Sequence, residues 1–219
     1  MNIQTRAARA PAAAAAKKAK RVPQSQESRS AATRAQILEA TLHCLSELGY
    51  RSTTLAQIQN RAAVSRGALL HHFKTKAELV ANAMASFYVG RLERHQTKLA
   101  SISPHSKLRE RLAIMRTEAD AHLPVTAEFT LAMRTDAELA QAFGEAMSPS
   151  MEPTSDGYVQ LLPEFRDDPD VLWILYVIGC FHRGLAMEGL LNPASVTDRI
   201  AAQFARLLDV YIAAKQARS

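Results

Sequence analysis

Residues 53–76 read Thr53-Thr-Leu-Ala-Gln-Ile-Gln-Asn-Arg-Ala-Ala-Val-Ser-Arg-Gly-Ala-Leu-Leu-His-His-Phe-Lys-Thr-Lys76, and their spacing decides the fold. Thr53 or Thr54 can cap a short helix that carries Leu55, Ile58 and Ala62 on one face. Ala63-Val64-Ser65 interrupts the period, and Ser65 caps a second helix whose Leu69 and Phe73 turn inward. Two short helices joined by so tight a turn predict a helix-turn-helix. In that motif the second helix can enter the major groove of duplex DNA.

Outward from this core the helical period continues in both directions. Upstream, Ile37, Leu38, Thr41, Leu42, Leu45 and Leu48 share a face, and Gly49 stands where a left-handed C-terminal cap belongs. Downstream, a helix opens at Thr75 and runs towards Ser101. Beyond Pro104 the period passes through Leu108, Leu112 and Met115, then resumes after Pro124. Residues 148–170 are loop-rich. Asp168-Pro169 reads as a helix start, followed by a helix from Asp170 to Leu191 that is apolar nearly all round. Ser195 with Asp198 predicts a capping box for a last helix striped by Val196, Ile200, Phe204, Leu207 and Tyr211. No stretch alternates as a strand does, so the chain reads as all-α.

Charge is unevenly spread along the 219 residues, whose net charge is +6. Residues 1–94 hold 15 Lys/Arg against 5 Asp/Glu, a balance of +10, whereas residues 95–219 carry −4. A basic front half suits a polyanionic partner. Residues 1–29 read as a disordered basic tail, either a solubilising leader or a cationic arm that adds affinity for phosphates. The longest apolar run, Val171 to Phe181, is 11 residues against the roughly 20 that span a bilayer. No membrane helix is expected, and no secretory leader. Two cysteines, Cys44 and Cys180, make no disulfide framework and point to the cytoplasm.

The string 53–76, with Ile37-Leu38, Leu48-Gly49-Tyr50 and the run from Lys76 to Leu79, resembles the DNA-binding domain of the TetR/AcrR family of bacterial transcriptional regulators. The resemblance covers residues 30–80. A looser likeness to the ligand domain of many members lies in Met133-Arg134-Thr135-Asp136 followed by Glu138-Leu139. It implies three parts: the tail, a helix-turn-helix domain over 30–80, and a helical effector-binding and dimerisation domain over 81–219.

The resemblance also implies roles. Arg66, Gly67, Ala68 and His71 match positions that approach base edges, and Arg66 can donate bidentately to guanine. Thr53, Thr54, His72, Lys74 and Lys76 match positions that hold phosphates. Ala63 stands where the family usually has glycine, so a positive φ there would cost roughly 1 kcal/mol. Leu70 replaces a usual tyrosine. A double-stranded DNA operator, a second copy of the chain and a small-molecule effector of unknown identity follow as partners.

Candidate pocket residues are Glu118, His122, Glu128, Phe129, Met133, Trp173 and Tyr176. The acidic balance of residues 95–219 favours neutral or cationic ligands there. The excess apolar surface of the 170–191 helix predicts a two-fold dimer through Gly179, Arg183, Gly184, Phe204, Leu208 and Tyr211. Adjacent His71 and His72 diverge by about 100° on a helix, which argues against a metal pair. No nucleophile elbow, phosphate-binding glycine loop or zinc spacing asks for catalysis, a metal or a cofactor. The sequence therefore predicts a repressor that binds a palindromic operator as a dimer and is released by a small apolar effector. An effector-independent, nucleoid-organising DNA binder of the same fold is the alternative.

Overall fold

The computed structural model describes residues 26–100, 107–148 and 169–217, which form eight α-helices and, among the described residues, no strand. Helix α1 spans Gln26–Ser52, so it begins inside the stretch read as a tail; residues 1–25 lie outside the described residues. At Gly49 α1 breaks, with φ 74° and ψ 168°. The positive φ was expected, but this ψ belongs to a region open essentially to glycine alone rather than to the left-handed helical cap.

Helix α2 (Leu55–Ala62) is capped by Thr54, which settles the Thr53-or-Thr54 choice. Thr54 Oγ1 accepts from the Gln57 amide at 3.3 Å, and Gln57 Oε1 accepts from the Thr54 amide at 2.8 Å. Ala63 closes α2 at φ 51°, the strained conformation foreseen for that turn. Helix α3 (Arg66–His72) starts on Ser65, whose hydroxyl accepts from the Ala68 amide at 3.1 Å. Ile37, Leu38, Cys44, Ile58, Leu69 and Phe73 form the core that seats α2 and α3 on α1.

Helix α4 (Lys76–Ala100) belongs to two cores and crosses the boundary drawn at residue 80 without interruption. Leu79 and Ala83 pack under the helix-turn-helix, while Val80, Met84 and Phe87 pack with Leu45, Val125, Phe129 and Leu139. Helix α5 (Leu108–Met133) runs straight through Pro124. Pro124 and Asp120, whose carbonyl loses its amide partner, are both exposed, so water can meet that carbonyl. Helix α6 (Ala137–Met147) is capped by Asp136, which accepts from the Leu139 amide at 3.0 Å.

Helices α7 (Val171–Glu188) and α8 (Ala194–Gln216) complete the fold. Residues 149–168, most of the loop-rich stretch, lie outside the described residues, as does Asp168 of the expected helix start. Leu175 and Ile178 pack with Leu112, Met115 and Leu208. Helix α7 ends at Glu188 rather than Leu191, because residues 189–191 turn towards α8. The Ser195–Asp198 box is not made. Pro193 precedes α8 without a side-chain cap, and Arg116 of α5 takes Asp198 at 2.8 Å and Thr197 at 3.0 Å. By length and composition α7 is apolar enough to cross a membrane, because it continues well past the 11-residue run.

Candidate nucleic-acid interface and adjoining cavity

The outer side of α3 carries Arg66, Gly67, Leu70 and His71, all exposed, with Ala68 half-buried. Arg66 makes no hydrogen bond or ion pair among the described residues, so its guanidinium stands available at the first turn. A Cβ on Gly67 would find only the Ser65 hydroxyl, at 3.9 Å, so the surface there is open to close approach. Thr54, Lys74 and half-buried His72 flank this face. Burial depresses the His72 imidazole, and the charges of His71 and Arg34 add to that. His72 also borders an open groove with Gln26, Ser30 and Arg34, which brings the start of α1 to the same surface. Sequence reading missed Arg34, whose partner Asn82 lies 48 residues away at 2.8 Å.

Two residues expected at phosphates point elsewhere. Thr53 is fully buried, and its hydroxyl donates to the Gly49 carbonyl at 2.7 Å to satisfy the backbone at the break. Lys76 folds back over Tyr50: its ammonium donates to the Tyr50 carbonyl and sits 4.1 Å from the ring centroid. Burial lowers its pKa, with Asp136 opposing. Lysine on the first turn of α4 is drawn inward because a carbonyl, an aromatic face and a carboxylate converge there.

Those groups form a polar seam between the helix-turn-helix and the rest of the protein. The Tyr50 amide donates to Glu128 Oε2 at 3.1 Å, and the Tyr50 hydroxyl donates to Asp136 Oδ2 at 2.5 Å. Burial first, then the Asp136 hydrogen bond and charge, push the phenol well above its ordinary range. The Tyr50 bond and the Leu139 amide hold the Asp136 carboxyl low. Glu128, expected in the pocket, instead braces this seam: a Cβ on Gly49 would fall 2.7 Å from its Oε2.

A cavity of about 70 Å³ lies between α4, α5 and α7. Glu118 and His122 line it, and Phe87, Met115 and Leu175 supply apolar wall. Sequence reading missed Arg91, His95 and His182. Gly179 and Arg183, expected at a dimer interface, border the cavity as well. Glu118 is buried beside Lys98, which donates to it. Burial raises this carboxyl, but the Lys98 bond and charge, with His122 and His95, outweigh that and leave it below its ordinary value. His122 Nε2 lies 3.5 Å from the same carboxylate, and its ring meets Phe87 edge-on at 4.9 Å. His182 Nδ1 donates to the Ile178 carbonyl at 2.9 Å. Burial, with Arg91 next, holds the His95 imidazole down at about 4.

Phe129, Met133, Trp173 and Tyr176 do not reach this cavity. Phe129 is locked in the α4–α5–α6 core against Phe143 at 4.8 Å, and Met133 packs beside it. Trp173 and Tyr176 face out, 70% and 61% exposed. They begin an exposed apolar stripe on α7 that continues through Val177 and Met187 past exposed Gly184. A matching stripe on α8 holds Val196, Ile200, Leu207, Val210 and Tyr211. Phe204 and Leu208, also expected at an interface, turn inward instead. Phe204 stacks on Phe181 at 3.7 Å, and Leu208 is buried against α5 and α7.

Residues 37–83 match the family described as bacterial regulatory proteins, tetR family. The HTH-type transcriptional regulator CymR of Pseudomonas putida is 27% identical over 172 residues, 76% of this chain and 83% of that protein. A solved protein from Pseudomonas aeruginosa PAO1 superposes with a TM-score of 0.55 at 24% identity, covering 89% of this chain and 99% of its own. The transcriptional regulator FadR from Bacillus subtilis, solved with stearoyl-CoA, gives 0.51 at 16% identity, over 80% of this chain and 96% of that one. At these identities the two structures establish a shared fold.

Proposed function

The chain belongs to the TetR family of bacterial regulatory proteins, and from that premise we propose that it is a dimeric repressor released from its operator by a ligand in the α4–α5–α7 cavity. It is a DNA-binding regulator of transcription, and it works where the chromosome is, in the cytoplasm, without catalysing a reaction. The observation that carries this reading is the exposed face of α3. Arg66, Gly67 and His71 are exposed while Ser65 fixes the helix start and Leu69 and Phe73 anchor its inner side.

The paired apolar stripes on α7 and α8 are suited to a second copy. That assignment also accounts for the apolarity of α7 without a bilayer. A two-fold dimer places its recognition helices about 34–36 Å apart, or a multiple of that, and reads a near-palindrome. The cavity would act through differential affinity: a ligand favouring a spread dimer weakens DNA binding, and DNA weakens the ligand equally. The seam at Tyr50, Glu128 and Asp136 is a physical route for that coupling, since it ties α5 and α6 to the end of α1. An effector-independent, nucleoid-organising protein would need the α3 face but no cavity, so the cavity favours the regulator.

A footprint of the purified protein on the DNA upstream of its own gene tests the reading. The expected result is a protected near-palindrome. Arg66→Ala should cost about 1–3 kcal/mol and relax one base position per half-site. Lys74→Ala should weaken all sequences alike and reduce the salt slope by about 0.9 per protomer, whereas Lys76→Ala should leave that slope unchanged. Equal affinity for every fragment would favour the nucleoid-organising alternative.

A further inference from the structure

We propose that the cavity between α4, α5 and α7 takes a small carboxylate on a short apolar body, an inference that rests on the effector reading above and adds the chemistry of the ligand. Among the described residues, Arg183 of α7 and Arg91 of α4, whose guanidinium lies 5.4 Å from the Tyr88 ring centroid, border the cavity beside one carboxylate, Glu118. That carboxylate is already engaged, by Lys98 at one oxygen and by His122 near the other. Among the described lining residues Arg183 is therefore left as a cation without a carboxylate partner, although residues 95–219 as a whole are acidic. Arg183 makes no ion pair among the described residues; it donates to the Cys180 sulfur at 3.2 Å, a weak acceptor.

His95 supplies the second, independent sign. It lines the cavity, is 8% exposed, and its Nε2 is buried with no hydrogen-bond partner among the described residues. A buried nitrogen of this kind is costly unless something fills its bonding position. A ligand oxygen placed between His95 and the Arg183 guanidinium would fill it. Guanidinium matches a carboxylate in charge and in its two-pronged geometry, and the partly water-excluded setting strengthens that pairing.

The remaining wall limits the rest of the molecule. Phe87, Met115 and Leu175 offer apolar contact. At roughly 10–15 Å³ per water, 70 Å³ holds about five to seven waters, which is room for one ring or a short chain.

The test uses the full chain without DNA, with binding followed by calorimetry and thermal melts. The probes are benzoate with benzamide, phenylacetate with phenylacetamide, hexanoate with hexanamide, then benzylamine and inorganic phosphate. At least one acid should bind tenfold or more tightly than its amide, benzylamine and phosphate, and should raise the melting temperature. Arg183→Gln should weaken that acid at least tenfold, Arg183→Lys should recover part of the loss, and Arg91→Gln should act in the same direction. The proposal is overturned if an amide or benzylamine matches the best acid, if phosphate alone binds as well, if all three variants bind the acid like the parent, or if no probe binds. Adding the acid to the footprinted DNA complex separates the two readings. Acid binding that leaves DNA affinity untouched sinks the effector role and keeps the carboxylate site. Specific DNA binding with no acid binding does the reverse.

Discussion

Around α2 and α3 the capping groups find partners within the protein: Thr54 and Gln57 cap each other, Ser65 holds the Ala68 amide, and buried Thr53 answers the Gly49 carbonyl. Around α7 and α8 the balance is reversed. His95 Nε2 lies buried without a partner among the described residues, a cavity remains open, and two apolar stripes face outward. The contrast separates two kinds of work. The front half presents one surface in one shape, so it is closed internally and its outward groups are few. The back half holds groups whose partners come from elsewhere, and those groups cost stability until a ligand or a second copy arrives. Between the two halves stands the Tyr50 seam, where Glu128 and Asp136 reach across from α5 and the α6 cap.

The largest expected effect attacks the open half. Leu207 is 68% exposed on the α8 stripe, so Leu207→Asp removes little from the protomer core yet puts a carboxylate into the proposed contact between copies. Light scattering should then give a monomer. Operator affinity should fall by about 10²–10⁴-fold, since two linked half-site contacts become one. The melting of the helix-turn-helix core should be unchanged at protomer level. A variant that stays dimeric at micromolar concentration would remove α8 from the interface.

How far the chain could be read in advance differs along the same division. The caps and turn of the front half are local signals: Ser65 precedes its helix, and Ala63 sits where a positive φ was needed. Charge alone could not separate Lys74 from Lys76. One is exposed and the other is captured by Tyr50, a residue 26 positions away. In the back half the helices were legible as helices, but their rotation about their own axes was not. Phe129, Trp173 and Tyr176 are the same kind of residue to a periodicity argument, yet one is core and two are surface. Leu207 and Leu208 are neighbours that part in the same way. Pocket histidines such as His95 carry no local signature, because what marks them is burial by α5 and α7. Glu128 was recognised as important but placed wrongly, since its partner Tyr50 lies 78 residues earlier.

A middle-sized effect tests the seam. Gly49→Ala forces a side chain into φ 74°, ψ 168° and sets its Cβ 2.7 Å from Glu128 Oε2. The backbone region costs about 1–3 kcal/mol for a non-glycine residue. Glu128 can swing aside, but it then abandons the Tyr50 amide. A total loss of about 2–3 kcal/mol is expected, which at about 2–4 °C per kcal/mol is a fall of roughly 4–12 °C in melting temperature. Glu128→Ala in the same chain should relieve the contact and leave the backbone cost. Full recovery in the double variant would show that the backbone conformation at Gly49 is not strained for alanine.

The smallest effect sharpens the picture of the closed half. Among the described residues Ala63 is the one non-glycine residue at positive φ, 51°, and it is exposed, so replacement by glycine loses no packing. Left-handed backbone costs alanine about 1–2 kcal/mol. Glycine removes that strain but enlarges the unfolded ensemble, which takes back about 0.4–1 kcal/mol. Ala63→Gly should therefore stabilise the protein by about 0.5 kcal/mol, a rise of only 1–2 °C or so in melting temperature. Because Ser65 still caps α3 and Leu69 still anchors it, operator affinity should stay within about twofold of the parent. Destabilisation by 1 kcal/mol or more would mean that the surrounding caps, rather than the residue at the turn, set this conformation. A gain in stability with a loss of DNA affinity would mean that the stiffness of an alanine at this turn helps to aim Arg66.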